Sequence, residues 1–196
     1  MRRILFLLLA AFATAAAAQV SIGIRDNRYA AIEYAFKDRF HVALEQSVYS
    51  EKLPFQYTRA YFGYSLPLAP NLKVTASPYF GMAWNNNYRN LGLLGSVHFK
   101  PCRFGVYGTI NPHYDSTFKY KTMFRAGAEF SITNQIDLSA DYSTIPVYRQ
   151  EEKLVRIGVG FKVKNLSARP VFAIPVAGNG KYKSVQILMS CKYTFK

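Results

Sequence analysis

The sequence predicts an all-β protein that folds as a single closed antiparallel β-barrel of about twelve strands. Three observations predict this fold: apolar and polar residues alternate with a period of two, helical periodicity is absent, and short turns alternate with longer polar loops. Side chains on a strand point to opposite faces in turn, so the alternation gives each strand one apolar and one polar face. A sheet of many such strands removes its exposed edges by closing on itself.

In chain order the predicted strands are 20–25, 28–36, 40–49, 55–66, 72–84, 91–99, 103–112, 120–132, 136–144, 154–163, 168–176 and 184–195. The alternation is clear in 154–163 and in the last strand, and it is weaker in 20–25 and 168–176. Ten or eight strands remain as alternatives, because 20–25 is short and 168–176 contains Pro170 and Pro175, which cannot donate a ladder hydrogen bond.

Two kinds of connection alternate along the chain. Tight turns are predicted at 37–39, 69–71, 101–102, 133–135 and 164–165. Longer polar loops are predicted at 85–90, 111–118, 147–153 and 177–183. One end of the barrel should therefore carry the tight turns and both chain termini, and the other end should carry the loops.

Composition excludes several other classes of protein. The chain has 15 Tyr and 15 Phe and is 50% apolar, unlike a disordered protein. Two cysteines are too few for a disulfide-stabilised scaffold. Apart from the N-terminal segment, no apolar run approaches the roughly 18 residues of a membrane helix. One domain is therefore expected.

The N-terminal segment 1–18 has the features of a cleaved signal peptide. Arg2 and Arg3 form a positive n-region, an apolar h-region follows, and an alanine run ends in an A-x-A-like cleavage site at Ala18. Residues 19–196 are then expected to form the barrel, outside the cytoplasm.

The composition of the two faces predicts which one points outward. A soluble ligand carrier would turn its apolar face inward and crowd its polar face with long charged side chains, whereas a lumen needs small residues. Six glycines fall on the polar face: Gly23, Gly81, Gly92, Gly127, Gly158 and Gly160. Aromatic residues on the apolar face lie beside the tight turns, as an interfacial girdle requires: Phe36, Phe40, Phe99, Phe104, Phe130, Phe161 and Phe195. A transmembrane barrel with a polar lumen is therefore predicted.

With its exported chain, alternating strands, two kinds of connection and a last strand ending in Tyr193-Thr194-Phe195, the sequence resembles small outer-membrane β-barrel proteins of Gram-negative bacteria. The resemblance implies a place in the bacterial outer membrane, contact with its lipids and lipopolysaccharide, and insertion by the barrel assembly machinery. It also implies short turns on the periplasmic side. The assembly machinery would recognise the apolar face of the last strand, formed by Val185, Ile187, Met189, Tyr193 and Phe195. Lys196 departs from the pattern because it follows the terminal aromatic residue. No activity follows from the resemblance.

Charged residues on the polar face are expected to line the lumen. They are Arg25, Glu33, His41, Glu45, Arg59, Lys73, Lys121, Arg125, Glu129, Asp137, Asp141, Arg156, Lys162 and Lys192. Consecutive strands should bring Arg125 and Glu129 within reach of Asp137 or Asp141, and Arg156 within reach of Asp141.

The lumen charges allow two interpretations. In the first, salt-bridged side chains plug the lumen, and the barrel has a structural role or belongs to a larger envelope complex. In the alternative, the barrel is a narrow diffusion channel that favours anions, since basic residues outnumber acidic ones along the lumen.

Evidence for other chemistry is weaker. His113, Asp115 and Ser116 lie together in a predicted external loop, which suggests an outer-leaflet lipid-modifying enzyme as a second alternative. Residues so close in sequence rarely assemble a triad, so no catalytic site is predicted and the protein is not expected to be an enzyme. No metal site or cofactor is predicted, because no residues stand at a ligand spacing. The net charge of +14 is spread over turns, loops and lumen, so anionic headgroups are expected as partners and nucleic acid is not.

Overall fold

Twelve antiparallel β-strands form one closed barrel in the computed structural model, which describes residues 18–36, 39–48, 57–117, 119–144, 152–178 and 184–195. In chain order the strands are β1 (Ala18–Arg25), β2 (Tyr29–Phe36), β3 (Phe40–Ser47), β4 (Tyr57–Ala69), β5 (Leu72–Ala83), β6 (Arg89–Phe99), β7 (Phe104–Asp115), β8 (Lys119–Ser131), β9 (Ile136–Ser143), β10 (Glu152–Val163), β11 (Leu166–Gly178) and β12 (Gln186–Phe195). Each strand pairs with its sequence neighbours, and β1 pairs with β12 to close the barrel. Within the described ranges, no helix has the length and apolar character to span a membrane.

The prediction of twelve strands is confirmed, and the alternatives of ten and eight strands are wrong. β1 and β11 both belong to the barrel. The prolines of β11 disturb only one of its two ladders. Pro170 pairs with Met189 of β12, whereas the β10–β11 ladder has no paired residues at Arg169 and Pro170. Next to Pro175 the β10–β11 register shifts by one residue, as at a β-bulge. The strand therefore continues through both prolines.

The apolar faces of the strands point outward. Every strand contributes at least one large apolar side chain that is exposed. On β12 the side chain of Ile187 is 63% exposed, whereas that of its neighbour Leu188 is 3% exposed and faces the lumen. A soluble barrel would bury its apolar face, so this exterior suits the hydrocarbon of a membrane.

The aromatic residues predicted for the girdle lie near the end of the barrel that carries the tight turns, which is called the turn end below. The opposite end, with the longer connections, is called the loop end. Six of these aromatic side chains are exposed on the outer wall: Phe40, Phe99, Phe104, Phe130, Phe161 and Phe195. Phe36 is half-buried.

One prediction about the loop end is wrong. β7 continues to Asp115, so His113 and Asp115 lie in a strand and not in an external loop. The segment pairs with β8 residue by residue, including Pro112 opposite Thr122. The strand continues because alternate positions of this segment keep the two faces of the barrel, with His113 and Asp115 buried on the lumen side and Tyr114 exposed. Only Ser116 lies beyond the strand.

Residues 1–17 of the predicted signal peptide lie outside the described residues. β1 begins at Ala18, the residue before the predicted cleavage site, and this residue pairs with Phe36 of β2. The parts of the predicted loops 147–153 and 177–183 that are described extend the neighbouring strands, since β10 begins at Glu152 and β11 ends at Gly178.

Candidate functional site: the charged lumen

The first group of lumen charges, the Glu45 cluster, consists of Arg25, Glu45, Arg59 and Tyr61. Arg25 Nη2 donates a hydrogen bond to Glu45 Oε2 at 2.9 Å, and Arg59 donates to the same oxygen from Nη2 at 2.7 Å and from Nε at 3.2 Å. The Tyr61 hydroxyl donates to it at 3.2 Å. Glu45 and Arg59 are paired in the β3–β4 ladder, and the small Ala31 opposite Glu45 on β2 lets Arg25 reach across from β1. One carboxylate thus holds two guanidinium groups.

Four tyrosine rings surround the Arg59 guanidinium at cation–π distances. They belong to Tyr29, Tyr57, Tyr61 and Tyr79, whose centroids lie 5.8, 5.9, 4.6 and 5.3 Å from the guanidinium carbon. The Tyr57 hydroxyl donates to Asn90 Oδ1 at 2.7 Å, and the Tyr79 hydroxyl donates to Asn111 Oδ1 at 3.0 Å. Because Tyr57, Tyr61 and Tyr79 are buried, these tyrosines occupy part of the lumen along the β2–β5 wall near the loop end.

The second group, the Asp141 cluster, consists of Tyr107, Arg125, Asp141 and Arg156. Arg156 faces Asp141 in the β9–β10 ladder and donates to both of its oxygens, from Nε to Oδ1 at 2.9 Å and from Nη2 to Oδ2 at 3.1 Å. The Tyr107 hydroxyl donates to Oδ2 at 3.0 Å. Gly127 stands opposite Asp141 on β8, and a Cβ there would lie 2.5 Å from the aspartate Cβ, so the glycine makes room for the carboxylate.

Arg125 approaches the Asp141 cluster less closely. Its Nε lies 3.8 Å from Asp141 Oδ1, and this buried nitrogen has no hydrogen-bond partner. Asp141 is already engaged by Arg156 and Tyr107, so Arg125 shares its charge without a short hydrogen bond. The cluster therefore carries two guanidinium groups and one carboxylate.

Three further ion pairs lie toward the turn end. Arg169 donates from Nη2 to Asp137 Oδ1 at 2.5 Å and from Nη1 to Ser139 Oγ at 2.9 Å. Lys192 Nζ donates to Glu33 Oε2 at 2.7 Å. The third pair joins Glu129 and Lys100.

Glu129 does not reach the two aspartates near which it was predicted. It accepts a hydrogen bond from Lys100 Nζ at 2.6 Å, and His98 Nε2 lies 3.3 Å from the same oxygen. The reason is electrostatic, because two carboxylates repel each other while a lysine just after β6 stands close by. Of the two aspartates predicted as partners of Arg125, only Asp141 lies near it, at 3.8 Å, since Asp137 pairs with Arg169.

The two remaining lysines of the predicted network take different positions. Lys121 stands opposite His113 in the β7–β8 ladder. Lys162 is exposed near the turn end, where it lines a cavity of the lumen.

The described residues line two cavities along the lumen wall. The turn-side cavity has a volume of about 480 Å³, and its walls include Glu33, Asp137, Lys162 and Lys192. The central cavity has a volume of about 330 Å³ and is lined by the Asp141 cluster together with Glu129 and His98. Arg169 lines both cavities, so the two adjoin at this side chain.

The structure does not assemble the predicted triad candidates. His113 Nε2 lies 3.9 Å from Asp115 Oδ2, and both side chains are buried in the lumen. Ser116 is exposed, and its hydroxyl accepts from the Arg89 backbone N–H at 3.0 Å and lies 3.3 Å from the Asn87 carbonyl oxygen. The Ser116 hydroxyl therefore forms its hydrogen bonds with the backbone at the β5–β6 connection and not with His113.

Metal-ligating side chains are also not gathered in the described part of the chain, where no three His, Cys, Asp or Glu residues form a group that could hold a metal ion. Cys102 and Cys191 are free thiols.

Several lumen residues were missed at the sequence level. Arg169 belongs to the network, but it precedes Pro170 in a segment whose alternation is weak. The sequence feature that could have identified it is the alternation of Ser167 and Arg169 with the outward-facing Ala168 and Pro170. No local sequence pattern predicts the four tyrosines around Arg59, since they come from three strands.

Comparison with known proteins concerns the whole barrel. No protein-family model matches the sequence, and no curated protein matches it. Solved structures match it well: a KdgM porin in complex with disordered oligogalacturonate has a TM-score of 0.67 and 8% identity, covering 92% of this chain and 99% of that chain. A NanC porin has a TM-score of 0.54 and 10% identity, covering 92% of this chain and 100% of that chain.

The fold is that of a small outer-membrane β-barrel. At such low identity the likeness concerns the fold alone. The fold and the apolar exterior together assign the protein to the bacterial outer membrane, as the sequence predicts.

Proposed function

We propose that the protein is a narrow diffusion channel whose lumen favours anions. One observation carries this proposal: the lumen carboxylates Glu45 and Asp141 are each shared by two guanidinium groups. Each cluster therefore has a positive charge in excess. Arginine and lysine side chains that line a pore favour the passage of anions.

The environment of these clusters strengthens the effect. Charges that are partly shielded from water interact more strongly than charges in bulk solvent. The excess charge at the Asp141 cluster lines the central cavity of about 330 Å³, because Arg125 is one of its lining residues and makes no short hydrogen bond to Asp141. An anion in this cavity would meet a guanidinium group whose charge Asp141 does not fully neutralise.

The likeness to porins supports the proposal. Two of the similar solved structures are named as porins, and one of them holds oligogalacturonate, an oligomer of a sugar acid. Small carboxylated solutes are accordingly the first class of permeant to test. The arrangement of Ser116 away from His113 gives no support to a lipid-modifying enzyme.

A structural or accessory role is the second candidate. The observation that favours it is the tyrosine ring around Arg59, because three of its buried side chains fill part of the lumen. A lumen filled in this way along its whole length would not conduct.

Conductance in planar lipid bilayers separates the two candidates. With folded protein and a tenfold KCl gradient, we expect discrete steps and a reversal potential whose sign shows that chloride is more permeant than potassium. Heat-denatured protein serves as the control. A bilayer that stays silent at high loading of folded protein would favour the structural role, and a reversal potential of the opposite sign would contradict anion preference.

A further inference from the structure

The outer wall has an apolar groove at the seam where β1 meets β12. Its volume is about 440 Å³. Side chains from five strands line it, among them Ile22, Ala30, Leu44, Leu166, Cys191 and Tyr193. The groove therefore lies on the face of the barrel that meets lipid and extends toward the turn end, where Leu166 begins β11.

Small residues create the groove. Ile24 of β1 pairs with Ala30 on one side and with Cys191 on the other, so a bulky side chain stands between two small ones. The larger Leu44 and Tyr193 form the two sides.

One exposed cation lies at the turn end of the groove. Lys164 is in the β10–β11 turn, two residues before Leu166 of the groove wall. This turn is attached to the end of β12 by a hydrogen bond from Thr194 N to the Asn165 carbonyl at 2.9 Å. Among the described residues, Lys164 has no acidic partner.

We infer that this groove binds one acyl chain of an anionic phospholipid from the leaflet at the turn end, with the phosphate near Lys164. The apolar walls match an acyl chain, and burial of its methylene groups favours binding. The lysine matches a negative headgroup at the membrane surface. This site is independent of the channel proposed above, because it lies on the opposite face of the barrel wall.

Native mass spectrometry of the purified protein, incubated with an equal mixture of phosphatidylglycerol and phosphatidylcholine, tests the inference. We expect the wild-type protein to retain one lipid molecule. The complex with phosphatidylglycerol should be about tenfold more abundant than the complex with phosphatidylcholine. Ala30→Phe fills the groove and should reduce retention about tenfold, the factor expected when roughly two methylene groups lose their contacts. Ala126→Phe is the matched control, since Ala126 is an exposed, outward-facing alanine on β8, and it should retain lipid like the wild type.

The headgroup contact has its own pair of variants. Lys164→Gln should remove most of the preference for phosphatidylglycerol, whereas Arg103→Gln, at an exposed cation near the start of β7, should preserve it. Heat-modifiable mobility on a gel verifies folding. If Ala30→Phe does not fold, Cys191→Phe fills the same groove from β12, and Lys164→Gln leaves the barrel wall untouched.

Three results would overturn the inference. The first is equal retention of lipid by Ala30→Phe and Ala126→Phe. The second is equal binding of the two phospholipids by the wild-type protein. The third is a stoichiometric dimer that Ala30→Phe dissociates, because a second copy of the chain would then occupy the groove.

Discussion

Arg156 and Asp141 form a two-pronged ion pair across the β9–β10 ladder, with Nε 2.9 Å from Oδ1 and Nη2 3.1 Å from Oδ2. Arg125 approaches the same carboxylate from β8 no closer than 3.8 Å. The two arginines therefore differ in what they do: Arg156 holds Asp141 in place, and Arg125 adds positive charge to the central cavity.

Replacement of Asp141 by Asn should destabilise the barrel. The side chain is 4% exposed, so its loss would leave Arg156 partly buried without a countercharge. We expect Asp141→Asn to lower the free energy of unfolding by roughly 3–5 kcal/mol, measured by urea unfolding in detergent micelles. The control is Asp137→Asn on the same strand, whose side chain is 30% exposed and whose loss should cost no more than about 1 kcal/mol. Equal losses would contradict a structural role for the Asp141 pair.

Arg125→Gln should alter selectivity more than stability. The variant removes a cation that makes no short hydrogen bond to Asp141, so its free energy of unfolding should change by no more than about 1 kcal/mol. In bilayers, the reversal potential in a KCl gradient should move toward zero. Arg156→Gln is the matched comparison, and it should destabilise the barrel more because it breaks two hydrogen bonds. A conducting Arg125→Gln channel with the wild-type reversal potential would show that the anion preference arises elsewhere.

Gly81→Ala should disturb the packing of the four tyrosines around Arg59, of which Tyr57 is the one beside Gly81. A Cβ at Gly81 would lie 2.0 Å from the Tyr57 hydroxyl oxygen and 2.3 Å from Asn90 Oδ1, so it would break the hydrogen bond between them. We expect a loss of about 1–3 kcal/mol in the free energy of unfolding. Gly108→Ala is the control, because the nearest atom to its new Cβ is 4.0 Å away, and its stability should rise slightly or stay unchanged. The same urea titration compares the two, and a neutral Gly81→Ala would contradict the close packing described for this cluster.

The energetic cost of a charge introduced on the outer wall should depend on its depth in the membrane. Ile157 lies near the middle of β10 and Val163 ends it, and both side chains are exposed. Ile157→Arg should lower the free energy of unfolding in lipid vesicles by about 2–4 kcal/mol, and Val163→Arg by about 0–1 kcal/mol. If both variants were neutral in vesicles, the outer wall would not face hydrocarbon.

How well the sequence predicts a structural feature of this protein depends on how far apart in the chain the residues that form it lie. Strand identity and facing are local, so alternation in 154–163 was sufficient to predict β10 and the outward direction of Ile157 and Phe161. The pairing of Arg156 with Asp141 also followed, because consecutive strands pair antiparallel. Local polarity misled at Asn111–Asp115, where turn-forming residues continue β7.

The sequence by itself determined the all-β barrel, the apolar exterior and the polar lumen. Alternation with a period of two residues shows directly which side chains share a face. Only the tertiary structure decided which charges meet. The pairing of neighbouring strands brings Arg25 to Glu45 over the intervening β2, collects four tyrosines around Arg59 and directs Glu129 to Lys100. Such contacts depend on the register of several strands and on the space left by Ala31 and Gly127, and neither the register nor that space is encoded in any single segment of the chain.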